Sequence, residues 1–417
     1  MNQTVWKKRY SFYLSLLVLL VALGLLFWLE VNKSNYGMAV SVIQKSLVFS
    51  VVAVSMNLLN GFTGMFSLGQ AGFMAIGAYT TAILTIPLSR VDGVYYMKGV
   101  APWLKGVKTT LSVLPEPLLI VFALLIGGMI AGIFAFFIGI PVLRLKSDYL
   151  AIATLGFSEI VRAVISSPQL DRVTNGSYGL KNIPGFGVTQ AGGVLPVGAG
   201  SLLIPFFFAL TTIAFIVLVI NSSYGRAFKA IREDEVAAEA MGINLLKHKQ
   251  LAFVISSVIT AMAGGMLAMY MRSIEARAFS VTLTYDILLI VVIGGLGSVS
   301  GSVLGAFVVT FAKDWFLRFF DSPLVIGGFQ VPFLRMGFRM VVFSILLMIV
   351  VLFYRRGLMG SSEFSWKGIF RWIRRKKEGV ETTKGEMIDY PDPPPAKPAP
   401  LIPDPPGAPQ EGGRDER

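Results

Sequence analysis

The stretch 117-PLLIVFALLIGGMIAGIFAFFIGIPVL-143 carries no charged side chain and no alternation of polar with apolar positions. A bilayer core about 30 Å thick is crossed by roughly 20 helical residues. Lipid offers no partner to an open backbone, so an unalternating run of this length reads as a transmembrane helix rather than a barrel strand. Long apolar runs with few or no charges recur at 12–29, 38–60, 71–88, 147–167, 201–220, 250–271 and 336–354. With 54% hydrophobic residues, 15% charged residues and a mean hydropathy of +0.68, the chain is too apolar for an ordinary soluble globule. The expected fold class is therefore all-α: a polytopic helical bundle in a membrane.

The formal net charge of +13 does not call for nucleic acid, because most Lys and Arg flank the apolar runs. The positive-inside tendency accounts for them. Trp6, Lys7, Lys8 and Arg9 precede the first run, and residues 1–30 read as a cytoplasmic N-terminus with a retained first span. The turn with Arg144 and Lys146 and the charged loop 221–249 then also fall inside. The loop 89–116 conflicts with this, since it puts Arg90, Lys98, Lys105 and Lys108 outside. Arg355 and Arg356 belong inside, so segment 284–313, interrupted by Gly294, Gly295, Gly297, Gly301 and Gly305, must begin and end on one side as a re-entrant hairpin does. The count is eight full spans plus the hairpin, or ten if each half crosses. Beyond 360, Trp366, Ile369, Phe370 and Ile373 at helical spacing among Lys and Arg read as an interfacial helix on anionic lipid or a stop-transfer cluster. The tail 391-PDPPPAKPAPLIPDPPGAP-409 reads as disordered or polyproline, and 361–417 forms a separate region.

The chain has no cysteine and a single histidine, His248, so thiolate chemistry is excluded and no metal site is expected. The most specific stretch is 224-YGRAFKAIREDEVAAEAMGINLLKHKQLAF-253. From Arg226 to Met241 it holds neither Pro nor Gly, and its Ala content favours a helix over about 227–241, ended by Gly242. Ala227, Ala230, Ile231, Asp234, Ala237, Ala238 and Met241 fall three or four apart, giving a small-residue face that a partner's groove accepts at close approach.

This run resembles the cytoplasmic EAA loop of ABC importer permeases, and its wording resembles the branched-chain amino-acid permeases of the LivM type. Aligned on Gly242, the pattern falls on Val236, Ala237 and Ala238; Val stands where the pattern has Glu, with Glu235 and Glu239 beside it. The stretches 57-NLLNGFTGMFSLGQAGFMAIGAY-79, 147-SDYLAIATLGFSEIVR-162, 174-TNGSYGL-180 and 293-IGGLGSVSGSVLGA-306 point the same way, and the resemblance covers roughly 36–355. It implies that 31–360 is a permease domain of a bacterial inner (cytoplasmic) membrane. Its partners would be a second permease subunit, two ATPase subunits that bind ATP and magnesium, and a periplasmic or extracellular substrate-binding protein. The implied ATPase-coupling residues are Arg226, Arg232, Glu235, Ala237, Ala238, Glu239 and Gly242. Independently, the chain contains no Gly-Lys dipeptide and so no phosphate-binding loop of its own, which leaves catalysis of ATP hydrolysis to a partner.

The two Gly-broken segments, 61–72 and 294–305, expose backbone groups that can recognise a polar solute, and the candidate path residues are Asn57, Asn60, Gly61, Gly64, Ser67, Gly69, Gln70, Gly294, Gly295 and Gly297. For each glycine taken alone, close helix packing explains its presence as well. Of the charges inside spans, Glu159 and Arg162 stand three apart and are expected to pair; Lys45 and Asp286 lie near span ends. A urea or short-amide permease is the alternative within this class. A secondary transporter or channel is the alternative outside it, and copurification of an ATPase subunit separates the two.

Overall fold

A computed structural model describes residues 3–95, 97–145, 147–187 and 200–316, with 325–326, 329–330, 341–342, 344–345, 348, 357–360 and 363. The expected span 336–354 falls almost entirely outside the described residues, and the interfacial helix and Pro-rich tail fall wholly outside them. The helices in chain order are α1 Gln3–Val31, α2 Gly37–Asn57, α3 Gln70–Thr85, α4 Leu88–Val94, α5 Pro102–Leu111, α6 Glu116–Val142, α7 Ser147–Ile165, α8 Asp171–Thr174, α9 Leu203–Asn221, α10 Ser223–Glu233, α11 Glu235–Ala240, α12 Leu245–Met271, α13 Val281–Gly294 and α14 Val299–Asp314. A π-helical turn, Leu58–Phe62, prolongs α2. The described strands are a two-residue antiparallel ladder of β1 Val325–Ile326 with β2 Phe329–Gln330.

The chain is thus an all-α, multi-pass membrane bundle. Among the described residues, α2 with its π turn, α6, α9 and α12 are each long and apolar enough to cross a membrane, and α7 joins them if counted with residues 168–174, from which it bends by 53°. The expected span 71–88 is the helix Gln70–Thr85, and residues 63–69 reach it as non-helical backbone within the segment 61–72 expected to be broken. Helix α12 is central. It lies parallel to α3, with Gln70 at Thr260 and Met74 at Gly264, and antiparallel to α6, with Phe136 at Gln250 and Gly128 at Met262. A methyl at Gly264 would overlap the Met74 backbone, so the two helices meet backbone to backbone. Buried hydroxyls then tie α12 to α2: Ser55 donates to the Ser256 carbonyl at 2.7 Å and Ser256 donates back to that of Ser55 at 2.8 Å.

Segment 281–314 is a helical hairpin. Lys313 pairs with Asp286 at 2.7 Å at its open end, Gly305 packs on Ile290, and Gly301 on Gly294 near the tip. At a 1.5 Å rise, helices of 14 and 16 residues reach about 21 and 24 Å, which is short of the bilayer core. Lys45 of α2 pairs with Asp314 at 2.6 Å, so the hairpin's open end is fixed on the first half of α2 while its tip meets the π turn. Both ends therefore lie on one side, as the charge pattern requires.

The charges of the 89–116 loop are accounted for in the same way. Lys98 pairs with Asp171 at 2.5 Å and Lys105 with Asp92 at 3.2 Å. Lys108, in α5, is buried and donates to the Ile86 carbonyl at 2.8 Å. Three of the four cations that oppose the positive-inside pattern are engaged by groups of the protein, Asp171, Asp92 and the Ile86 carbonyl, so they are poor reporters of sidedness.

Candidate functional site: the junction of coupling loop and hairpin tip

The loop 222–244 forms two helices, which corrects the expectation of one. Backbone at Asp234 is extended (φ −159°, ψ 115°), and its carboxylate accepts from Val236 N at 2.8 Å and Ala237 N at 3.0 Å, capping α11. The break interrupts the 3.6-residue register, so positions before and after Asp234 do not share a continuous face. Ala238 is turned into the subunit at 4% exposure, and Ile231 and Phe228 are buried with it, anchoring the helices. What faces outward is Val236 at 77% and Met241 at 82%, with Ala237, Glu239 and Ala240. Glu235 pairs with Lys249 at 2.6 Å, and Arg226 donates to Ser223 Oγ at 2.9 Å. Gly242 ends α11 as expected, at φ +85°, with Ile243 N donating to the Ala238 carbonyl at 3.1 Å.

Arg232, near the end of α10, connects this loop to the bundle. Its Nη1 donates to the Gly61 carbonyl at 2.8 Å, while Nη2 donates to Glu233 at 2.6 Å. Gly61 lies in the π turn, where a methyl would overlap both Asn57 Oδ1 and the backbone nitrogen of Gly297. Gly64, at φ +73°, and Gly297, at φ +84°, both lie against the Arg232 side chain, where an added Cβ would stand 3.0 Å from Cγ and from Nη1 respectively. Asn57, fully buried, accepts from Gly297 N at 2.9 Å and donates to the Ser298 carbonyl at 2.8 Å and to Ser302 Oγ at 2.7 Å. The residues named from two distant segments and from the coupling loop thus converge: Asn57, Gly61, Gly64, Arg232 and Gly297 form one contact zone.

A further component was not read from the sequence. Residues 357–360 and 363 contact the tip, with Leu358 N donating to the Ile293 carbonyl at 2.7 Å and Met359 N to that of Gly294 at 3.2 Å. Gly295 lies against the backbone of Gly360. Glu363 accepts from Val299 N at 2.7 Å, Ser300 N at 3.1 Å and Ser300 Oγ at 2.7 Å, placing a carboxylate at the start of α14 where the helix dipole favours it. These bonds are mostly to backbone, and backbone donors have no residue-type signature.

The remaining path candidates lie deeper. Asn60 Oδ1 accepts from Ser67 N at 3.2 Å, Leu68 N donates to Thr154 Oγ1 at 3.0 Å, and Gly69 abuts Thr154 of α7. Gln70 accepts from Thr260 at 2.6 Å, and both Ser67 and Gln70 are buried within the subunit. Glu159 and Arg162 form the expected pair, at 2.6 Å.

Residues 38–352 match the family described as branched-chain amino acid transport system permease component. The chain is 30% identical over 346 residues to the high-affinity branched-chain amino acid transport system permease protein LivM of Salmonella typhimurium, covering 78% of this chain and 72% of that protein. The same values hold for LivM of Escherichia coli. A probable LivM of Methanocaldococcus jannaschii is 25% identical over 329 residues, 75% of this chain and 90% of the relative. No solved structure matches. With the motifs, the membrane bundle and these relatives in agreement, the chain belongs to the branched-chain amino acid transport permease family.

Proposed function

We propose that this chain is the membrane-spanning permease subunit of an ATP-driven importer of branched-chain amino acids in a bacterial inner membrane. It works with a second, non-identical permease subunit, two ATPase subunits that bind ATP and magnesium, and an external substrate-binding protein. The observation that carries the reading is the Arg232 contact. A loop presenting exposed Val236, Ala237, Glu239 and Met241 to a partner is joined through Arg232 to the Gly61 carbonyl of α2 and, through Asn57, to the hairpin tip. A displacement of α10–α11 by an ATPase is thereby delivered to two broken membrane segments rather than absorbed in a free loop. Those segments, 61–72 and 294–305, border the path in this reading. Ser67 and Gln70 would be uncovered by a shift of α3 against α12.

Arg232→Ala in the reconstituted importer tests this. A hydrogen bond from a charged donor contributes about 1.5–3 kcal/mol, so its loss is expected to reduce uptake by roughly tenfold or more while ATP hydrolysis continues. Uptake and hydrolysis both at the unsubstituted level would remove the junction from the mechanism.

A further inference from the structure

Helix α7 presents its two faces in an unusual way. Thr154 and Ser158 are buried against the backbone of 68–72, while Tyr149, Ile152 and Ile160 point away from the subunit and are largely exposed. On the outward side stands the Glu159–Arg162 pair, with side-chain exposures of 32% and 34%. Glu159 lies twelve positions beyond Ser147, about 18 Å along the helix, and six short of Ile165, while Arg162 stands in the last turn, three short of that end. Both arms of Arg162 that pair with it, Nε at 2.8 Å and Nη2 at 2.6 Å, reach the same oxygen, Oε2. Among the described residues, nothing engages Glu159 Oε1 or Arg162 Nη1.

Ionised groups within a span are costly and as a rule face a water-filled cavity or another protein surface. Replacing a paired couple by apolar residues is commonly neutral or stabilising, so the pairing is not in itself a reason to hold two charges at this depth. What the pair offers is one free anionic and one free cationic edge side by side, with Ile160 above, Ile152 below, and open space at Gly156, where a Cβ would meet nothing within 4 Å. A zwitterionic amino acid with an apolar side chain has the complementary form. We infer that Glu159 and Arg162 are a transient binding site for the backbone of the transported amino acid: Glu159 Oε1 accepts from its ammonium, Arg162 Nη1 donates to its carboxylate, and the side chain lies over Gly156 between the isoleucines. This rests on the importer reading above and adds to the path residues named there a holding site on the face of α7 turned away from segment 61–72.

The test uses the complete importer in proteoliposomes with L-leucine and its binding protein. In Glu159→Leu with Arg162→Leu, uptake falls at least tenfold, while the complex assembles and the loaded binding protein still stimulates ATP hydrolysis. A pair with only a structural role is satisfied by two leucines, so normal uptake in this variant overturns the inference, as does joint loss of uptake and stimulated hydrolysis. Gly156→Cys gives the second readout, in a chain without other cysteines. A small water-soluble thiol reagent should modify it, leucine should slow the modification, and the slowing should vanish in the double-leucine background. Modification at one rate with or without leucine, or none at all, also overturns it. Absence of leucine uptake by the unsubstituted complex would instead remove the importer reading itself.

Discussion

Asn57→Leu is the sharpest perturbation of the junction, because it conserves volume while removing every hydrogen bond between α2 and the hairpin tip that this side chain makes. Asn57 satisfies two buried backbone groups, Gly297 N–H and the Ser298 carbonyl, and also donates to Ser302 Oγ. Ser302 N and Oγ both keep their bonds to the Ser298 carbonyl at 3.1 Å, so the group left without a partner is the Gly297 N–H. Stranding a buried donor costs about 1–3 kcal/mol, which is the destabilisation expected. The lower end applies if the tip shifts to let water accept from the Gly297 N–H. Thermal unfolding of the purified complex measures the destabilisation. Combining the variant with Ser302→Ala in a double-mutant cycle then isolates the direct contact, for which a coupling of about 0.5–3 kcal/mol is expected between touching groups. Unchanged unfolding together with additive single effects would refute the bonding drawn here.

Two more outcomes follow from other parts of the fold. Burial lowers the Lys108 ammonium from 10.5 to about 8, so between those values the unfolded loop binds more protons than the folded one, and stability rises with pH across that window, by up to about 3 kcal/mol. Lys108→Met should flatten that dependence when local unfolding of the 88–115 region is followed by hydrogen exchange; an unaltered slope would show that another group titrates. Single cysteines at Ser67 and Gln70, both buried in this conformation, should be unreactive towards water-soluble thiol reagents at rest and become reactive in an ATP-bound state. Unreactivity in every nucleotide state, in variants that still transport, would make 61–72 a packing element.

The spans were legible wherever the apolar run was long and uncharged: 117–143 against Glu116–Val142 and 201–220 against Leu203–Asn221 differ only at their ends. The hairpin was legible from its glycines and from the charges that fix sidedness. The helix break at Asp234 was not, although the signal was present. Asp followed by amides at the second and third positions is capping chemistry, but Ala-rich neighbours on both sides made continuous helix the stronger local reading. The non-helical stretch 63–69 was legible from the glycines that mark 61–72 as broken, and Gly64 at φ +73° carries the change of direction. What composition hid is that its apolar residues Met65 and Leu68 are buried as they would be in a helix.

The site residues divide along the same line. The glycines at 61, 64 and 297 were named from the sequence as path candidates without their partners, since nothing in either segment announces that the other lies against it. Arg232 supplies the missing relation. It was named for the coupling loop on resemblance alone, yet one guanidinium bonds the Gly61 carbonyl and packs beside Gly64 and Gly297. Each of these glycines is needed because the arginine or the Asn57 amide already occupies the space a methyl would take, so the three small residues and the one large cation form a single steric unit. Enlarging Gly64 or Gly297 would displace the Arg232 side chain, and enlarging Gly61 would displace the Asn57 amide. The glycines therefore describe the shape of the contact between α10, the π turn and the hairpin tip, and their value to the fold lies in what they admit there.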